Sequence, residues 1–227
     1  MNFLDISDLG TFPHAFINGT IGGDYTPQHM SDLIHFPLLL KYDGVYADVG
    51  MIQIGDLDCL WSETLGNPAS RFKVLLYNVG SIEGCSLMNY FLAASRNNLL
   101  FLQCHQLFLE LWAVDSGKTS TEGMHSSPLL RGVPLMGGSF TIEEGETKIG
   151  PEKVSRMLMD YVIQAQAMGM VMGLVDKEDN WDRPKYIAEH MYGIEYMVGS
   201  QLINDMTRWN GQKAFDLMSL SLLKKAR

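Results

Sequence analysis

Residues 31–50, Ser-Asp-Leu-Ile-His-Phe-Pro-Leu-Leu-Leu-Lys-Tyr-Asp-Gly-Val-Tyr-Ala-Asp-Val-Gly, constrain this chain more than any other stretch. An apolar run carrying a polar pair passes through a glycine turn into a short segment that ends on Asp48. Thr26-Pro27 opens a helix, because proline is preorganised for the first helical position. That helix is expected to reach Tyr42, with Met30, Leu33, Ile34 and Leu38 on one stripe. Pro37 inside it is expected to kink the helix or loosen its preceding turn. Gly44 then turns the chain into a strand over residues 45–48. Such a hairpin brings Asp32 and Asp48, distant in sequence, to one rim. A strand ending on aspartate beside a glycine presents oxygen ligands to a hard divalent cation and the phosphates it bridges. The plainer readings are a turn carboxylate for Asp48 and a helix-surface or capping residue for Asp32. Tyr46 alternates with Val45, so one faces the core and the other the site.

The rest of the chain alternates strands and helices. Residues 1–25 read as loop or short helix, punctuated by Pro13, Gly19, Gly22 and Gly23. Residues 51–54, 72–77 and 90–93 read as short strands. Residues 97–114 form a strongly apolar helix that buries Leu100, Cys104, Leu107, Leu111 and Ala113. Asp56-Leu57-Asp58 spells a metal-binding tripeptide, but at the start of a helical turn it reads as capping. The stretch 117–150 is loop-rich, and its His125 is a candidate late metal ligand. Residues 150–175 read as one helix, with Val154, Leu158, Tyr161, Val162, Ala165 and Met168 on its buried stripe. A further helix is expected from Asp182-Arg183-Pro184 to residue 209, and a short one at residues 211–223. The expected architecture is α/β: a mixed sheet with a helical C-terminal third. Residues 1–25 are irregular, 26–116 form the core, 117–150 the loop region and 151–227 the helical part.

Composition removes several function classes. The net charge of −9 argues against nonspecific nucleic-acid binding. A hydrophobic content of 46% supports a packed core. The sequence has no run of ~20 apolar residues to span a bilayer, and Met-Asn-Phe-Leu-Asp lacks the basic start of a signal peptide. The chain as given therefore reads as cytoplasmic. Cys59, Cys85 and Cys104 are unclustered, which fits reduced thiols better than a disulfide framework or zinc site. The fifteen methionines, five of them between 157 and 172, fit core packing.

Ser31-Asp32, the run Leu38-Leu39-Leu40 and Asp43-Gly44-Val45-Tyr46-Ala47-Asp48-Val49-Gly50 together resemble glycosyltransferases with a DxD sugar-binding region. That group, glycosyltransferase family 32 in type, includes fungal capsular-polysaccharide-synthesis-like proteins and a class of mannosyltransferases. The resemblance continues through Asn89-Tyr90-Phe91-Leu92-Ala93-Ala94 and more loosely to about residue 205. It implies a partial GT-A fold, a nucleotide-sugar donor, and a glycan or small-molecule acceptor in polysaccharide or glycan biosynthesis. It also implies a divalent cation, manganese or magnesium. Asp48 would anchor the metal, and Asp32, His35 and Tyr46 would contact the donor.

Three positions depart from the pattern. His35 stands where the family has arginine, Asp43 where it has the first glycine, and Gly50 where it has the second aspartate. The Gly50 departure weakens the metal site by one carboxylate, although such ions often rely on one or two. Asp43 is disfavoured relative to glycine if the turn needs a positive φ. The family places a strand–helix–strand unit ahead of the Ser-Asp helix, and about 30 residues precede it here. The resemblance thus implies an N-terminally shortened member, with a secretory or Golgi location if a longer N-terminus exists. The second function reading is an inactive remnant that binds without turnover.

Overall fold

The computed structural model describes residues 5, 7–8, 10–51, 55–79, 86–133, 142–144, 147–177, 181–208 and 210–225. Helix α1 (His14–Ile17) leads into the long α2 (Thr26–Tyr42) and strand β1 (Gly44–Ala47). α2 starts at Thr26, with Pro27 in its first turn, and continues through Pro37 rather than breaking there. It ends where Asp43 takes φ 58 and ψ −172 and Gly44 takes φ 100. Asp43 thus occupies backbone space that glycine alone adopts freely, at a cost of roughly 1–3 kcal/mol.

Helix α3 (Leu57–Glu63) follows, capped by Asp56, whose carboxylate accepts the Cys59 N–H at 2.8 Å. Capping is therefore the role this tripeptide shows. Strands β2 (Val74–Val79) and β3 (Ser86–Ala94) come next, then α4 (Leu99–Ala113). Asn98 starts α4 by accepting the N–H groups of Leu100 and Phe101. Leu100, Cys104 and Leu111 are buried as expected, whereas Ala113 is exposed.

The main sheet has the order β1-β3-β2-β8, where β8 is Met191–Glu195. β1 and β2 both run antiparallel to β3, and β8 runs parallel to β2. Both faces of the centre are covered. Val74, Leu76 and Leu92 pack against α2 and α4, while Leu75, Phe91 and Ala93 pack toward Leu60 and Trp61 of α3. A second cluster joins α1, α2 and α4 around Leu33, Phe108 and Trp112. The strand expected at 51–54 lies outside the described residues except for Met51, whose N–H closes a turn onto the Asp48 carbonyl.

The C-terminal third differs from its expected all-helical form in two places. The single helix expected over 150–175 is split into α5 (Pro151–Tyr161) and α6 (Ile163–Met172) at Val162. The buried Gln166 amide takes the Met159 carbonyl at 2.8 Å beside this break. Two β-branched residues, Val162 and Ile163, stand at the junction and favour helix less than their neighbours. The helix expected over 182–209 is α7 (Arg183–His190), β8, and the short α8 (Tyr196–Gly199) and α9 (Leu202–Met206). Gly193 lets β8 close on β2, since a Cβ there would run into the Asn78 side chain. Helix α10 (Gly211–Lys225) ends the described chain. Two small hairpins complete it: β4 (Ile142–Glu144) with β5 (Thr147–Ile149), and β6 (Val175–Asp176) with β7 (Trp181–Asp182). Among the described residues no helix is long and apolar enough to cross a membrane.

Candidate functional site

The turn between α2 and β1 folds the strand back along the helix. Ser31 and His35, four residues apart, lie on one face of α2 and meet the side chains at the end of β1. The Ser31 hydroxyl lies 2.9 Å from the Tyr46 hydroxyl and 3.3 Å from His35 Nε2. Tyr46 donates to Asp48 Oδ1 at 2.7 Å, and its ring lies 3.7 Å from that of His35. His35 Nε2 is 3.9 Å from the same carboxylate oxygen. Four of the sequence-derived candidates, Asp32, His35, Tyr46 and Asp48, are thus gathered at one place.

Asp32 lies one layer deeper. Its Oδ1 accepts the Asn89 amide at 2.9 Å, and its Oδ2 faces His29 Nδ1 at 3.6 Å. Only a narrow edge of the side chain, 8% of it, reaches solvent. Gln164 of α6, fully buried, ties the layers together. Its amide nitrogen donates to the Asp32 carbonyl at 2.6 Å. Its oxygen accepts from Asn89 at 2.9 Å and faces His35 Nδ1 at 3.2 Å. Neither Gln164 nor the anchoring role of Asn89 was expected from the sequence. The one available signal was a glutamine inside an apolar helix.

Burial sets the electrostatics. Loss of hydration pushes the Asp32 carboxyl above the usual carboxylate range, against the lowering pull of His29. Burial pushes His35 down to about 3, so its ring is neutral. The Tyr46 hydroxyl is pushed up by burial and stays protonated. Among the described residues, histidines rather than lysine or arginine pair with Asp32 and Asp48.

The Asp32 shift makes a testable statement. A carboxyl whose folded pKa is raised adds most stability at pH below its unfolded value, and loses it as pH rises through the folded value. Asp32→Asn, which keeps an oxygen for Asn89, is expected to melt ever higher relative to the parent as pH is raised from 4 to 8. Thermal melts across that range check the sign; a gap that shrinks with rising pH contradicts it.

Two cavities adjoin the site. A cleft of about 610 Å³ runs from Asp48 along the α3 side of the sheet, between Tyr77, Tyr90, Leu60, Ser200 and Asn204. A smaller one, about 260 Å³, lies between Tyr25, Tyr161 and Asp160. The rings of Tyr25 and Tyr161 are 4.8 Å apart there. His125, the candidate late ligand, is held through Nδ1 by Asp160 at 2.7 Å. Among the described residues no three His, Cys, Asp or Glu side chains cluster as a metal site. A cation at Asp48 would therefore find few other protein ligands among them.

The chain is similar to curated fungal glycosyltransferases. The chain is 34% identical over 209 residues to the glycosyltransferase afumC of Aspergillus fumigatus, covering 91% of this chain and 51% of the relative. It is 28% identical over 213 residues to the O-glycosyltransferase braB of Annulohypoxylon truncatum, covering 93% and 50%. It is 26% identical over 212 residues to the O-glycosyltransferase PaGT of Phomopsis amygdali, covering 91% and 50%. The chain spans about half the length of these curated relatives. No family model matches the chain, and no solved structure matches it.

Proposed function

Starting from homology to fungal glycosyltransferases, we propose that this chain carries a donor site for a nucleotide sugar and takes part in moving that sugar to an acceptor hydroxyl. The observation that carries the reading is the convergence of Asp32, His35, Tyr46 and Asp48 on one rim. Asp48, with 45% of its side chain exposed, faces the donor's diphosphate. A divalent cation bound there supplies charge neutralisation for the departing nucleoside diphosphate. Tyr46 holds the Asp48 carboxylate in one orientation. Asn89 and Gln164 do the same for Asp32, which is placed to take a hydroxyl of the sugar. The cleft lined by Tyr77 and Tyr90 is the acceptor side. Its aromatic and polar walls suit a glycan or a small molecule that presents a hydroxyl, in keeping with the O-glycosyltransferase names of two relatives.

Titration calorimetry with manganese and a panel of nucleotide sugars tests the reading. Metal-dependent binding of one donor, with slow release of free sugar, is the expected result. A panel that gives neither heat nor hydrolysis would sink it. The second reading, a binding protein without turnover, draws on Gly50 and on the neutral ring at His35, which leave Asp48 as the rim's one well-exposed carboxylate and give it no fixed positive charge. Binding without hydrolysis or transfer would select it.

A further inference from the structure

Helices α8, α9 and α10 follow one another, and α9 packs against both of the others. One side of this tier faces the cleft, which Gly199, Gln201, Ile203, Asn204 and Met218 help to line. That side is fastened to the sheet. Tyr77 donates to the Gly199 carbonyl at 3.2 Å, and the hydroxyls of Tyr90 and Ser200 lie 2.7 Å apart. Gly199 allows so close an approach, since a Cβ there would run into the Tyr77 and Ile194 side chains. The solvent side of the tier carries large apolar groups. Val198 is 71% exposed, Met206 64%, Phe215 62% and Leu202 50%, and Met197 and Leu217 are exposed as well.

Single exposed apolar residues need no explanation, but six on three successive helices mark a contact surface. Charge identifies the kind of partner. The chain carries −9 overall, yet residues 196–227 hold Arg208, Lys213, Lys224, Lys225 and Arg227 against Asp205 and Asp216 alone. Arg208 and Lys213 are exposed, as Met206 and Phe215 beside them in the sequence are. Surfaces that pair with another protein are depleted in lysine. Apolar groups mixed with lysine and arginine are instead the composition of a face that lies in a lipid headgroup layer, a contact that needs no spanning helix.

We propose that the solvent side of α8, α9 and α10 is a docking face for an anionic membrane surface. Val198, Leu202, Met206 and Phe215 enter the boundary between headgroups and acyl chains, and the basic residues of 196–227 meet the anionic headgroups. The acidic remainder of the chain is repelled by the same surface, which fixes the orientation. Because these helices also wall the cleft, docking holds the cleft beside the membrane.

Flotation of the 227-residue chain with vesicles tests this. The chain is expected to float with phosphatidylcholine vesicles that contain roughly a third phosphatidylserine, and to stay behind with phosphatidylcholine alone. Raising sodium chloride from about 0.1 to about 0.5 M is expected to release most of it. Phe215→Asp is expected to weaken binding by about 10-fold or more, through lost apolar burial. Lys213→Glu is expected to weaken it by roughly 20–30-fold, because it changes two charges. Both positions are exposed, and circular dichroism of each variant confirms that it is folded. Equal binding to the two kinds of vesicle, or binding to neither, overturns the inference. Binding that both variants leave unchanged overturns it too and puts the contact elsewhere. A chain that floats with neither vesicle but self-associates in sedimentation velocity, with Phe215→Asp monomeric, gives the face to a second copy instead.

Discussion

Replacing Asp48 with alanine is expected to cut sugar transfer or donor hydrolysis by about 10²–10³-fold, the usual cost of removing one group that meets developing charge. The fold is expected to survive. Nearly half of the Asp48 side chain is exposed, and substitutions at such positions usually shift stability by no more than about 0.5 kcal/mol. Asp48→Asn separates the two things this residue does. The amide oxygen still accepts from Tyr46, so rim geometry persists while the charge is gone. Steady-state rates with a saturating donor, set beside calorimetric melts, make the comparison. Transfer at the parent rate by both variants would remove Asp48 from the chemistry.

The largest stability effect is expected at Gln164. Its replacement by leucine keeps the volume, strands two buried groups, the Asp32 carbonyl and the His35 Nδ1–H, and takes one of two acceptors from the Asn89 amide. Each unmatched group costs about 1–3 kcal/mol, with overlap between neighbours, so a loss of about 3–5 kcal/mol is expected. For a chain of this size that corresponds to a fall of roughly 10 °C in melting temperature. Donor affinity should fall with it, because Asp32 and His35 both lose their backing. A melting temperature within a degree of the parent would mean that this knot holds nothing together.

The rim was legible in the sequence because its parts are local. Pro27 and Gly44 mark where α2 begins and where β1 turns away, and strand alternation decides which side Tyr46 faces. Gln164 and Asn89 were not legible as site residues, because they arrive from elements that meet only in the folded sheet. The break at Val162 hid Gln164 further. A single unbroken helix would bury Val162 and Ala165, whereas the split turns Ile163, Gln164 and Ala167 inward instead. Strand β8 was missed for a related reason. Met191-Tyr192-Gly193-Ile194-Glu195 is too short to declare its period, and its partner in the sheet is distant in sequence.

That partner gives β8 a meaning in time as well as in space. β2 lies inside the sheet, yet Val74 is matched with Met191 and Asn78 with Glu195. While the chain is being synthesised, β2 has β3 within reach and nothing on its other side until the C-terminal third emerges. For that interval its second flank is an open hydrogen-bonding edge, the kind that recruits neighbouring chains. Parallel pairing across so long a loop is slow to form. The vulnerable species of this protein is thus the nascent chain that has not yet made residues 191–195, and chaperone demand should peak there.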